Sequence, residues 1–267
     1  MRDAYTFPDP RPGPRREITV HLNRPANYRG DSPVLVVMHG RGRDGADYRD
    51  FFVEESERLG FAVVAPEFSE AQYAHPHEYN YGAMWRPDGT FALRKQWLFP
   101  VIDAVFRDAV ERLRSTRARY ALFGHSAGAQ VVHRFVTFAW SPLIERAVAA
   151  NAGSYTMPLR EEPFPFGLDC PVKVDVPALL SRPLLIQLGD RDNDPNHAQL
   201  PRDPGAMRQG PHRFARGHRY FEAGKAEAER LGVPFKWRLA VVPGVEHSGR
   251  DMAPFAAREL FGETETA

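Results

Sequence analysis

Several stretches of the chain are apolar at nearly every position: Val34-Leu35-Val36-Val37-Met38, Phe61-Ala62-Val63-Val64-Ala65-Pro66, Tyr120-Ala121-Leu122-Phe123 and Pro183-Leu184-Leu185-Ile186-Gln187-Leu188-Gly189. Short, unbroken apolar runs rich in β-branched residues predict strands covered on both faces. Ala147-Val148-Ala149-Ala150-Asn151-Ala152-Gly153 adds a further short strand, and Phe235 to Val242 suits a final one. Glu17-Ile18-Thr19-Val20-His21-Leu22 alternates instead, which predicts a strand exposed on one face at a sheet edge. Between these runs the apolar spacing changes from twos to threes and fours. It predicts a helix over 47–59, with Tyr48, Phe51, Phe52 and Leu59 inward, and a long one from near Lys95 carrying Leu98, Val101, Ile102, Val105, Phe106, Ala109 and Leu113. Pro100 marks the first turn of that second helix, where proline is tolerated. Helices are also expected from 126 to about 140, over 215–231, and from Met252. Strands alternating with helices give an α/β fold, a mainly parallel sheet with helices on both faces and ligands at the carboxyl ends of the strands.

The interruptions are informative too. Residues 8–15 carry four prolines and read as an extended arm. Residues 67–94 form a long irregular segment containing Ala74-His75-Pro76-His77-Glu78-Tyr79-Asn80-Tyr81-Gly82-Ala83-Met84-Trp85, and loops of that length are usually functional when they are rich in aromatics. Residues 155–180, rich in proline and phenylalanine, are expected to form a cap or lid inserted in a single domain spanning 1–267. Tyr81 and Trp85 on the long loop, and Tyr155 and Met157 on the insertion, are the candidates for lining a substrate pocket.

The chemistry concentrates where strands end. Gly124-His125-Ser126-Ala127-Gly128 sits between an apolar strand and a helix, the context in which Gly-x-Ser-x-Gly forms a tight turn that pushes the serine out at the top of the sheet. Ser126 is the candidate nucleophile. It needs a base, and His247 in the loop after the last strand can supply one. The acidic loop Asp190-Arg191-Asp192-Asn193-Asp194 offers three carboxylates that could orient the imidazole, and any of them could instead brace the loop.

Composition narrows the classes without choosing among them. A net charge of +1 in 267 residues argues against a general nucleic-acid binder, and no signal-peptide pattern or apolar run long enough for a membrane span is present, so a cytoplasmic protein is expected. Cys170 is the lone cysteine, which excludes an intrachain disulfide and a cysteine-held metal. His75 and His77 share a face of an extended segment, but no third ligand accompanies them, so no metal is assigned. Phosphate-cradling glycine loops are missing as well, and no cofactor is expected. Of the 35 basic residues only Lys95, Lys173, Lys225 and Lys236 are lysine, and Arg208, His212, Arg213, Arg216, His218 and Arg219 form a basic stretch. Such a stretch reads as a solvated face, or as a binder of acidic substrates if it faces the site.

Taken with His39-Gly40-Arg41-Gly42, Gly189-Asp190-Arg191-Asp192 and the terminal His247, the elbow motif makes the chain resemble the α/β-hydrolase superfamily over nearly its whole length. Within it, the sequence looks most like bacterial esterases grouped with polyhydroxybutyrate depolymerases and feruloyl esterases. The resemblance implies an α/β-hydrolase fold and a triad of Ser126, His247 and, from the Gly-x-x-Asp pattern, Asp192. It assigns the oxyanion hole to the backbone amides of Ala127 and Arg41. The implied activity is hydrolysis of a small or oligomeric carboxylic ester through an acyl-enzyme, with short-chain, hydroxyalkanoate and hydroxycinnamoyl esters as the substrate classes. Two alternatives remain open on the sequence: an amide or peptide hydrolase acting on an acidic polymer, and a ligand-binding protein that uses the fold without turnover.

Overall fold

The structure is a computed structural model and describes residues 1–262. Eight strands form one sheet: β1 (Arg2–Pro8), β2 (Glu17–Asn23), β3 (Val34–Met38), β4 (Ala62–Glu67), β5 (Tyr120–His125), β6 (Ile144–Ala150), β7 (Leu184–Gly189) and β8 (Arg238–Val242). They run in the order β1-β2-β4-β3-β5-β6-β7-β8, with β1 and β2 antiparallel to their neighbours and every pairing from β4 to β8 parallel. This is the mainly parallel α/β sheet that the unbroken apolar runs require.

The helices are α1 (Gly45–Asp50), α2 (Val53–Leu59), α3 (Phe99–Leu113), α4 (Ala127–Phe138), α5 (Val176–Leu180), α6 (Pro204–Gln209), α7 (Arg213–Leu231) and α8 (Gly249–Phe261). They cover both faces, and β3 shows how. Its Val34, Val36 and Met38 join the core with Ile102, Val105 and Val132 of α3 and α4, while Leu35 and Val37 join Phe52, Met252 and Ala256 on the other side. Alternate side chains of a strand point to opposite faces, so a strand between two helical layers must be apolar throughout.

Two expectations need correction. The strand at 17–22 is not at the edge, because β1 pairs outside it from Arg2↔Asn23 to Pro8↔Glu17. The helix expected over 47–59 is two helices, broken at Phe51–Phe52, which turns the chain so that Tyr48 and Phe52 both reach the core. The segment 155–180 packs as part of the body: Tyr155 is fully buried, and Phe164 sits edge-on to Tyr81, Trp85, Phe91 and Phe138. Its aromatics face α4 and the long loop. Among the described residues no helix is long and apolar enough to cross a membrane.

Candidate active site

Ser126 stands between β5 and α4 with φ +56° and ψ −112°, a conformation that residues other than glycine rarely adopt. Two contacts hold it there. Its amide donates to Ala150 O of β6 at 2.9 Å, and the start of α4 lies hard against the end of β3. A Cβ on Gly128 would lie 2.2 Å from the Met38 carbonyl oxygen, so only glycine allows this approach. The helix then runs away beneath the sheet, leaving the serine side chain at the carboxyl edge of the strands.

His247, in the loop between β8 and α8, places Nε2 3.0 Å from Ser126 Oγ and Nδ1 2.7 Å from Asp192 Oδ2. The two other acids of the loop after β7 are committed to backbone. Asp190 Oδ1 accepts from the Gly244 amide at 2.7 Å, and Asp194 Oδ1 from the Asn196 amide at 2.8 Å. The imidazole and the Asp192 carboxylate keep only 9% and 4% of their side-chain surface in contact with solvent. Burial pushes the His247 pKa below its usual value, and the Asp192 carboxylate pulls in the opposite direction. A neutral imidazole between a hydroxyl and a carboxylate can accept the hydroxyl proton while the carboxylate steadies the resulting cation.

The loop after β3 faces this array from the other side. His39 is fully buried; its Nδ1 donates to Gly40 O at 2.9 Å and its Nε2 accepts from the Phe68 amide at 2.9 Å. Tyr79 stacks on the ring at 4.5 Å and donates its hydroxyl to His39 O at 2.7 Å. Burial brings the His39 pKa down to about 3, so His39 is a neutral brace for the loop. Among the described residues the backbone amides of Arg41 and Ala127 donate to no other group, and both residues line the cavity at Ser126. Tyr48 ties the surrounding loops together. Its hydroxyl is 2.8 Å from His125 Nδ1, and a Cβ on Gly40 would come within 2.6 Å of it.

The cavity over Ser126 has a volume of about 340 Å³. Asn80, Tyr81, Gln130, Ser154 and Gln199 line it, and its charged lining residues are Arg41, Arg43, Arg213, Glu70 and Asp203. Of the four residues expected to line a pocket, Tyr81 does. Trp85 opens instead onto a separate cavity of about 370 Å³ beside the proline-rich arm. Tyr155 and Met157 are buried away from the cavity, Tyr155 stacked on Tyr220 at 4.6 Å. Both side chains pack in the core, and nothing in a local pattern distinguishes a large apolar side chain beneath a loop from one facing a ligand.

The basic stretch is divided rather than solvated. Arg216 is buried and donates to the carbonyls of Gly153, Pro201 and Gly210, while Arg208 pairs with Glu162. Arg213 is buried against Asp192, with Nη1 3.2 Å from Oδ1. Sequence reasoning missed that contact, since an arginine 21 residues from its acid carries no local signature. No cluster of three or more potential metal ligands occurs among the described residues.

The chain matches no family model and no curated protein sequence. Solved structures decide the relationship. Poly(aspartic acid) hydrolase-1 from Sphingomonas sp. KT-1 is 36% identical, covers 98% of this chain over 98% of its own, and superimposes with a TM-score of 0.91. The chain belongs to the α/β-hydrolase superfamily. A second α/β-hydrolase, the poly(3-hydroxybutyrate) depolymerase LpqC from Bordetella parapertussis, is also 36% identical, with 100% of this chain and 92% of that one covered and a TM-score of 0.89. S-formylglutathione hydrolase from Agrobacterium tumefaciens shares the α/β-hydrolase fold at a TM-score of 0.61 and 14% identity, over 97% and 93% of the two chains. The protein is accordingly an enzyme, a serine hydrolase, and the non-catalytic alternative falls away.

Proposed function

We propose that the protein hydrolyses carboxylic esters through an acyl-enzyme formed on Ser126. The observation that carries this reading is the unbroken hydrogen-bonded line from Ser126 Oγ through His247 to Asp192 Oδ2 at a cavity mouth. In it His247 takes the Ser126 proton as Oγ attacks the carbonyl carbon, and Asp192 stabilises the imidazolium. The oxyanion of the tetrahedral intermediate is received by the amides of Ala127 and Arg41, donors with no competing partner. Collapse expels the alcohol with the proton from His247. Water, deprotonated by the same histidine, then releases the acid and restores the serine.

A cavity of about 340 Å³ lined by amides, hydroxyls and guanidinium groups suits a short polar acyl unit better than a long alkyl chain. Hydroxyalkanoate esters are therefore the proposed substrates, in keeping with the similarity to a poly(3-hydroxybutyrate) depolymerase. A second reading keeps the triad and changes the bond to an amide of an acidic polymer. Arg41 and Arg43 at the cavity favour it, together with the similarity to a poly(aspartic acid) hydrolase.

The test is fluorophosphonate labelling of the wild type and Ser126→Ala, followed by turnover of 3-hydroxybutyrate oligomers and of aspartate oligomers. Labelling and turnover lost together in Ser126→Ala support the acyl-enzyme, and the preferred oligomer chooses between ester and amide. A folded wild type that takes no label overturns the reading.

A further inference from the structure

Asp192 uses its carboxylate oxygens differently: Oδ2 meets His247, while Oδ1 accepts from Arg213 Nη1 at 3.2 Å. Arg213 is the first residue of α7, and the amide of the next residue, Phe214, donates to Asp192 O at 3.1 Å. Helix and acid loop are therefore joined through both backbone and side chain. The Arg213 side chain is 1% exposed and Asp192 4%, so water screens their attraction little. The other end of the guanidinium, Nη2, lies 3.3 Å from His197 Nδ1, and the His197 ring meets the His247 ring edge-on at 5.4 Å.

This geometry does two things. Fixing Oδ1 leaves Oδ2 a single orientation, toward His247 Nδ1. A cation on the far oxygen also withdraws part of the negative charge that would stabilise an imidazolium. An Asp–His pair without that cation holds its proton more tightly, so its histidine is lost as a base at a higher pH.

We propose that Arg213 is a positioning residue, which holds Asp192 against His247 and keeps His247 a neutral base into more acidic solution than an unbraced pair would allow. The proposal rests on the reading of Ser126, His247 and Asp192 as the triad. The groups facing His247 are Asp192 and His197 from the loop after β7, His125 and Ser126 from the elbow, and Arg213 from α7. Arg191, Asp194, Glu246 and Asp251 line the cleft on its outer side. Arg213 and Asp192 are set apart from the acids at that rim by burial.

The test is the pH profile of kcat/KM for p-nitrophenyl acetate in the wild type, Arg213→Gln, Arg213→Met and Arg213→Lys, with a thermal melt to establish folding. Removing the charge is expected to move the acid limb up by about one pH unit and to lower kcat about tenfold, with KM changed less than about threefold. Arg213→Lys keeps the charge and should keep the wild-type acid limb. An acid limb that stays in place in a folded glutamine or methionine variant overturns the proposal. So does failure of both charge-free variants to fold while the lysine variant folds, because Arg213 is then a structural ion pair. Ser126→Ala separates this from the larger reading: turnover retained in it sinks the triad itself, whereas turnover lost with an unmoved acid limb sinks only the role of Arg213.

Discussion

At the residue scale the acid loop offers the sharpest comparison. Asp190, Asp192 and Asp194 are alike as residue types, yet one carboxylate meets an imidazole and two meet backbone amides. Asp192→Asn is expected to lower kcat by about 10⁴, since the amide presents the wrong hydrogen-bonding face to His247. Asp190→Asn, which disturbs only the contact with Gly244, should stay within about tenfold, and the two rate constants for p-nitrophenyl acetate decide the assignment. The sequence could narrow the acid to this loop, because a strand end followed by a glycine and several aspartates is a local pattern. Which of them turns toward residue 247 depends on a loop about 55 residues away. Gly128 is a residue of the opposite sort, fully determined by its neighbours. With its Cβ at 2.2 Å from a carbonyl oxygen, Gly128→Ala should destabilise the fold by about 3 kcal/mol or more, measurable by urea unfolding.

At the scale of elements, the walls of the cavity are fastened by buried arginines that lack a carboxylate. Arg134 of α4 is fully buried and donates to Asn80 O, to Gln130 O and Oε1, and to Pro165 O, with Tyr81 and Phe164 against its guanidinium plane. One side chain thus joins the elbow helix to the aromatic loop and to the segment expected to be a lid. Burial lowers its pKa only to about 10, so it stays charged at neutral pH, and carbonyl dipoles stand in for a counterion. Arg134→Ala should cost about 2–4 kcal/mol by leaving several buried carbonyls unpaired, and should raise KM as Asn80 and Tyr81 loosen. A differential melt and a Michaelis plot read the two effects. The helix–strand alternation was legible because each element carries its own period. The role of 155–180 was not, since a segment rich in proline and aromatics has the same composition whether it packs beneath a loop or covers a cavity. β1 was overlooked for a similar reason: Tyr5 and Phe7 alternate as a strand should, but the prolines that follow dominate the reading.

At the scale of the whole molecule, His39, His125 and His133 are buried and held neutral: His39 falls to about 3 and the other two well below the ordinary value, in each case chiefly by burial. The folded pKa values lie below the unfolded one of about 6.5, so the unfolded chain binds more protons on acidification. The stability these histidines contribute is complete above about pH 6.5 and is lost as pH falls toward 3, at up to about 1.4 kcal/mol per pH unit for each. The melting temperature should therefore drop steeply between about pH 6.5 and 4, and His133→Gln should flatten the drop. A flat melting profile over that range would contradict the burial of neutral imidazoles. The long loop carries a different consequence. Ala74 and Pro76 line the cavity over Ser126, whereas His75, His77 and Glu78 line the one beside the proline-rich arm. One stretch of chain, wound in turns by bonds from the Glu78 amide to His75 O and the Tyr79 amide to Pro76 O, is the party wall of two rooms, decorated independently on each side. Substitutions at 74 and 76 can reshape the reactive chamber while 75 and 77 stay as they are, so an engineer can alter either chamber with the other left furnished.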